Sequence, residues 1–168
     1  MLSVRTATQS DYSRIMDIYR SAREFMIRSG NPEQWGRTNP PPERIRKDIE
    51  TGACRVLYDE TGIHGVFALF HGEDPAYAVI EDGAWLNDEP YITIHRIAGD
   101  GTVHGIFHAA FLYWKTLSDN IRIDTHEANR PMRRLIEEHG FRRCGIIHLA
   151  NGSPRIAYQY VKPASERS

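Results

Sequence analysis

Apolar and polar positions alternate and then change period within "NIRIDTHEANRPMRRLIEEHGF", residues 120–141. Ile121, Ile123 and Thr125 share one face of an extended chain, and Arg122, Asp124 and His126 share the other. A strand with one wet face is predicted. From Asn129 the apolar residues Met132, Leu135 and Ile136 return at helical spacing. Asn129 is a good N-cap and Gly140 a good stop, so a helix follows the strand.

The rest of the chain reads the same way. "LSVRTAT" alternates as a first strand, and from "SDY" onward Ile15, Ile18, Tyr19, Ala22 and Met26 recur at steps of three and four, which predicts a helix. Residues 30–42, "GNPEQWGRTNPPP", are broken by Gly and Pro and predict an exposed loop. Pro41–Pro42 then lead into a short helix through about Glu50. "CRVLYDETGIHGVFALFHG" predicts two strands with a turn near Thr61–Gly62. Residues 72–90 predict no regular element, with Trp85 between Gly83 and Asn87. "YITIHRIA", 91–98, is β-branched and predicts a central strand, and "GDGTVHG" a turn before an apolar helix over about 103–118.

That helix carries Ile106, Ala110, Tyr113 and Leu117 on one line and Phe107, Phe111 and Trp114 on the next. Its apolar arc is too wide for a surface helix, so it is expected to be well buried. A buried helix between two strands makes a crossover, and "YITIHRIA" and "IRIDTH" should run parallel. Two last strands, near 142–149 and 154–161, are joined by "NGSP" as a hairpin. The predicted order is β-α-α-β-β-β-α-β-α-β-β, an α/β domain with a mixed sheet of about seven strands and about four helices. It spans residues 1–163, with a flexible tail over 164–168.

Composition narrows the function classes. At 168 residues the length suits one domain with a single core. A formal charge of −1, with no basic excess, gives no footprint for nucleic acid. Apolar runs fall short of a membrane span and the N-terminus lacks a signal-peptide layout, so the expectation is a cytoplasmic protein without a membrane partner. Cys54 and Cys144 make neither a disulfide framework nor a Cys-x-x-Cys motif. His104 and His108 have the spacing of a helical metal pair but lack the adjoining Glu of a metalloprotease helix, so no metal is expected.

The element order, "HRIAGDGTVHGIF", and "DTHEANRPMRRLIEEHGF" with Asn129 twelve residues before Phe141, together resemble the GNAT superfamily of N-acetyltransferases over nearly the whole chain. The likeness extends to a bacterial subgroup with a strand ending His-Arg-Ile-Ala, an Asp-Thr-His corner, and a Gly-Phe followed by Cys144–Ile147. It implies acetyl-CoA as co-substrate and direct attack by a primary amine of a small molecule or peptide on the thioester. In GNAT folds the two parallel strands splay apart to admit the acyl-CoA arm.

The resemblance implies cofactor contacts from Ile97, Ala98, Gly101, Thr102, Val103, His104, Gly105, Ile106, Phe107, Asn129 and Met132. Of the family's loop signature only Gly105 is kept. Thr102 replaces a basic or Gln residue, and Phe107 a small one that lets the ligand lie close. A turn opening a helix still offers backbone N–H groups and a positive dipole to a pyrophosphate. His104 would add charge when protonated.

A neutral imidazole can take a proton from an ammonium group, which makes His126 and His95 the candidate bases, His126 first. Trp35, Trp85, Tyr91, Arg96 and Asp124 are the candidate acceptor-side residues. The alternative for the aromatics is a core-capping role. For the charged residues it is an ion pair of Asp124 with Arg96 or with Arg122. Glu81 and Asp82 fit solvated turn residues better than an amine-attracting pair, and Cys144 fits a core residue better than a nucleophile. The family's usual thiolate-protonating Tyr, seven residues after the Asn, is Ile136 here. A catalytically silent domain that binds an acyl-CoA or a protein partner is therefore the second reading. The edge strand of the C-terminal hairpin offers a surface for pairing with a second copy.

Overall fold

The computed structural model describes residues 1–167, and its elements follow the predicted order. Strand β1 (Ser3–Thr6) leads to helices α1 (Tyr12–Arg28) and α2 (Pro42–Glu50), then to β2 (Cys54–Asp59), β3 (Gly62–His71) and β4 (Ile92–Gly99). Helix α3 (Ile106–Leu117), β5 (Asn120–Thr125), α4 (Arg130–Glu138), β6 (Arg142–His148) and β7 (Pro154–Val161) complete the chain. The strands form one mixed sheet in the order β1-β2-β3-β4-β5-β7-β6.

The crossover through α3 makes β4 and β5 parallel, with Ile92, Thr93 and Ile94 beside Ile121, Arg122 and Ile123. The pairs β1–β2, β2–β3, β5–β7 and β6–β7 are antiparallel. Helix α3 starts three residues later than its hydrophobic pattern suggests, because the turn at Asp100–Gly101 and the left-handed Gly105 (φ +83°) hold the chain out of helix until Ile106. Its apolar arc is buried through Phe107, Ala110, Phe111 and Trp114, while Leu112 and Leu117 form an exposed rim. Asn129 caps α4 as predicted, its Oδ1 accepting from the Met132 N–H at 3.2 Å. The segment after 163 opens with one 3-10 turn, Ala164–Glu166.

Contacts gather in two units. The first comprises Met1–Leu69 and His95–Tyr113. Its core is Ile15, Ile18, Tyr19, Ile45, Ile49, Val56 and Val66, with Trp35 packed on it. The second comprises Phe70–Ile94 and the chain from Trp114 onward, with Tyr77, Ile147 and Ala157 buried beneath Ile80, Trp85 and Tyr91.

Segment 72–91 has no strand and only one 3-10 turn, Pro75–Tyr77, as its Gly, Pro and Asp content predicts. It is nevertheless seated on the hairpin. Glu81 and Ile146 exchange backbone hydrogen bonds at 2.9 and 2.8 Å. This interrupts the free edge of β6 that the sequence offered to a second copy. The seat demands glycine on both sides. A Cβ on Gly83 would lie 1.9 Å from the Cys144 carbonyl oxygen, and one on Gly145 would lie 2.3 Å from that of Glu81.

Gly83 also has φ +150°, which L side chains avoid. Gly83→Ala should therefore cost at least ~2 kcal/mol, read as a lower urea midpoint with unchanged slope. An unchanged midpoint would contradict this seating of the segment.

Candidate active site

The first unit holds the turn that opens α3. Asp100 Oδ1 accepts from the Thr102 N–H at 2.9 Å and from its hydroxyl at 2.6 Å, which fixes the corner at Gly101 (φ +80°). Behind the corner, Ile106 packs where Gly65 and Gly99 leave room. Added Cβ atoms there would come within 3.0 and 3.2 Å of its side chain. Gly101 and Gly105 face open space, with nothing within 4 Å of a built Cβ. Phe107, which the sequence presents as an obstacle, is 4% exposed and turned into the core. The turn thus presents backbone at Gly101 and Gly105, with the His104 side chain exposed between them, at the start of a twelve-residue helix, where an anion can be received.

Arg96 lies in the same unit and has φ +55°, a conformation that costs about 1–3 kcal/mol inside a strand. Two long-range partners hold it. Asp48 of α2 takes its Nε and Nη2 at 3.0 and 3.1 Å, and the Tyr19 hydroxyl donates to its carbonyl at 2.8 Å. Trp35 meets the Tyr19 ring edge-on at 5.6 Å, so it props this arrangement from the 30–42 loop. Burial pushes the Asp48 carboxyl up, against the pull of Arg96. Asp48 was readable as a polar residue on an otherwise apolar helix face with Ile45 and Ile49, but nothing in the sequence names Arg96 as its partner.

The second unit changes the reading of the polar face of β5. Arg122 is 5% exposed, so that face is dry at its centre. The guanidinium lies between the rings of Trp85 at 4.0 Å and Tyr91 at 3.9 Å, and its Nη2 donates to the Asn87 carbonyl at 3.0 Å. Its Nε has no hydrogen-bond partner among the described residues. The Arg122–Asp124 pair, one of the two considered for Asp124, is not formed: Arg122 goes to the aromatic rings, and Asp124 accepts from the Tyr77 hydroxyl at 2.7 Å.

Burial, reinforced by the Asp124 charge, holds the Tyr77 phenol well above its ordinary pKa, so it stays a donor. Burial pulls the Arg122 guanidinium below its ordinary value, and the neighbouring Tyr91 acts the other way. Gln159, beside Arg122 across the β5–β7 register, links Asn87 and Asn120 at 3.1 Å each. Trp85 and Tyr91 therefore cap a core and clamp a cation in one arrangement. The sequence missed Tyr77 and Asn87 because both sit in a segment without periodicity.

The candidate bases differ in their surroundings. His126 follows the end of β5, and its Nδ1 accepts from the Ala128 N–H at 3.0 Å. A neutral ring so held carries its proton on Nε2, leaving no free lone pair until the corner opens. His95 is half-buried on β4, near enough to Asp48 to act on that carboxyl electrostatically. Cys144 is buried and donates to the Arg142 carbonyl; burial pushes its thiol up, which suits a core residue. Ile136 is fully buried. Among the described residues no group of three or more His, Cys, Asp or Glu is placed to hold a metal ion, and no helix is long and apolar enough to cross a membrane.

No protein-family profile and no curated protein matches the chain. Solved structures do. An acetyltransferase of the GNAT family from Streptococcus agalactiae is 28% identical, with 96% of each chain covered and a TM-score of 0.86. A GNAT-family acetyltransferase from Listeria monocytogenes is 23% identical, covering 95% of this chain and 94% of its own, with a TM-score of 0.67. The yncA protein of Salmonella typhimurium, solved with its cofactor acetyl-CoA, is 11% identical, covering 99% of this chain and 96% of its own, with a TM-score of 0.63. The fold is that of the GNAT acyl-CoA N-acyltransferases, and the chain's structural neighbours are acetyltransferases of that superfamily.

The clamp on Arg122 gives a test of what its charge does. Arg122→Ala opens a gap between two rings and should cost about 2–4 kcal/mol, whereas Arg122→Met fills it and removes a buried charge, and should stay within ~1 kcal/mol of the parent. Urea unfolding followed by tryptophan emission reads both. Equal losses would mean that the guanidinium's own bonds, and not its bulk, hold segment 72–91.

Proposed function

We propose that the protein is an N-acetyltransferase of the GNAT kind, which transfers the acetyl group of acetyl-CoA to a primary amine by direct attack. The observation that carries this is the backbone likeness to the Streptococcus agalactiae enzyme over 96% of both chains, combined with the open glycine turn at the start of α3. When bound, acetyl-CoA supplies a thioester carbonyl. The amine nitrogen forms the new C–N bond, the C–S bond breaks with its electron pair on sulfur, and the proton lost by the amine must reach a base.

In this reading residues 101–107 receive the diphosphate through backbone N–H groups, aided by the α3 dipole. Asn129, at the N-cap of α4, and Met132, whose N–H it accepts from, keep the role toward the cofactor that the resemblance implies. Thr102 shapes the turn through Asp100, and His104 stands exposed where it can add positive charge. Trp35 and Arg96 are proposed to serve the acceptor side through the Tyr19–Asp48 scaffold, while Trp85, Tyr91 and Asp124 surround or adjoin the Arg122 clamp of the second unit. Proton removal falls to His126 or His95, and His126 must first release the Ala128 N–H from its Nδ1.

Without a Tyr at position 136 the thiolate leaves unprotonated. A thiol with an ordinary pKa near 8.5 allows that, at a cost of about 10²-fold. Fully buried Ile136 also favours the second reading, a silent domain that binds an acyl-CoA without turnover.

Thiol release from acetyl-CoA across an amine panel separates the two readings. Acetyl-CoA at about 100 times its dissociation constant should stabilise the fold by roughly 2.7 kcal/mol in both. Only an enzyme releases CoA thiol in step with the amine supplied. A thermal shift without release selects the silent domain, and no shift at millimolar ligand removes both. Within an active enzyme, whichever of His126→Ala and His95→Ala removes the base should lower kcat at least ~10-fold and remove the acidic limb of its pH profile, with acetyl-CoA affinity within a few-fold. Full activity in both variants would leave the role to an ordered water.

A further inference from the structure

His64 is a polar residue near the start of the largely apolar β3 and is 8% exposed. Its Nδ1 lies 3.1 Å from Asp100 Oδ2 and 3.2 Å from the Thr102 hydroxyl, and its Nε2 lies 3.0 Å from Asp59 Oδ1 and 2.7 Å from the Thr61 hydroxyl. Each threonine hydroxyl is also 2.6 Å from a carboxylate oxygen, Thr61 on Asp59 and Thr102 on Asp100. A hydroxyl has one proton, and a carboxylate only accepts. Both protons therefore go to the carboxylates, and the hydroxyl oxygens face the ring as acceptors. With acceptors at both nitrogens, the ring satisfies the geometry only by donating from both, as an imidazolium.

The charged groups facing the ring are Asp59 from the end of β2, Asp100 beyond β4, and behind Asp100 the Arg14 guanidinium of α1 at 2.5 Å. Two carboxylates, one guanidinium and one imidazolium sum to zero. Loss of the imidazole proton leaves a net −1 beneath a turn meant for an anion, and leaves one ring lone pair directed at oxygen. The connection to the turn is direct: the Asp100 side chain that His64 grips is the one that fixes Thr102, and the Asp100 N–H donates to the His64 carbonyl at 2.9 Å.

We propose that His64 is a positioning residue whose protonated ring ties Asp59 to Asp100, holding the 99–105 turn in its anion-receiving form, so that acyl-CoA affinity falls when this proton is lost. The role rests on the acetyl-CoA reading above. Burial opposes the charge on His64, but its bonds to Asp100 and Asp59 outweigh burial and hold its pKa above the ordinary 6.5. The link is therefore complete below about pH 6.5 and is lost as pH rises through the folded-state value.

Titration calorimetry with CoA between pH 6 and 9, on the parent and on His64→Gln, tests this. The ionisation of CoA itself is common to both proteins and cancels in the ratio of their dissociation constants. At pH 6 the variant should bind ~5-fold or more weaker, and the ratio should shrink toward one by pH 9. In the parent, the NMR-detected titration midpoint of His64 should rise when CoA is added, because linkage is reciprocal. This second measurement stands even where His64→Gln does not fold. A ratio that is constant with pH, or a midpoint that CoA leaves unmoved, overturns the role while leaving CoA binding intact. A parent that binds no CoA at any pH overturns the acetyl-CoA reading and this role with it.

Discussion

A guanidinium in the middle of a buried strand must be covered. Arg122 sits buried on β5, and neither neighbouring strand, β4 or β7, contains a carboxylate to pair with it. Isolated charges cost several kcal/mol to bury unless partners replace the lost water. The partners here are two aromatic faces and a backbone carbonyl, all from segment 72–91. That need explains why a stretch without helix or strand follows one path, why Gly83 and Gly145 let it close on β6, and why Tyr77 reaches Asp124. The irregular segment belongs to the second unit with those strands.

The first unit meets the same difficulty with charges rather than rings. Arg96 is bent into a sparse backbone conformation on β4 and is held there by Asp48 and Tyr19. Asp100 lies a few residues on, between Arg14 and His64, and its side chain folds the turn that opens α3. Local turn propensity alone would leave "GDGTVHG" several conformations. The polar network selects one, with Gly101 and Gly105 turned outward and Phe107 inward. A site that must meet a diphosphate with backbone N–H groups depends on such support, because backbone donors act only where the main chain is fixed.

Periodicity made most of the architecture legible. The element order, the parallel β4–β5 pair, the Asn129 cap and the final hairpin all follow from spacing and turn residues, which are local quantities. The late start of α3 was hidden because the apolar pattern runs on through Val103, while an Asp100 turn and a left-handed Gly105 overrule it. The polar face of β5 was visible, but its dryness was not, because its cover comes from residues 31 to 47 positions earlier with no pattern of their own. Asp48 and Arg96, 48 residues apart, likewise gave no pairwise signal. Phe107 looked like an obstacle to a ligand because one-dimensional position says nothing about which side of a helix start a ring turns to.

Chemistry was less legible than architecture. His126 stood out by its place after a strand, yet its ring nitrogen closes the local corner. His64, which the strand pattern shows only as an odd polar residue, proves the more connected imidazole. The central claim is that the turn before α3 receives the diphosphate of an acyl-CoA, and a crystal structure of the protein with CoA tests it most directly. The account predicts diphosphate oxygens accepting hydrogen bonds from backbone N–H groups within residues 101–107, with the His64–Asp100 contact intact. A diphosphate bound elsewhere on the protein, with that turn untouched, would contradict it.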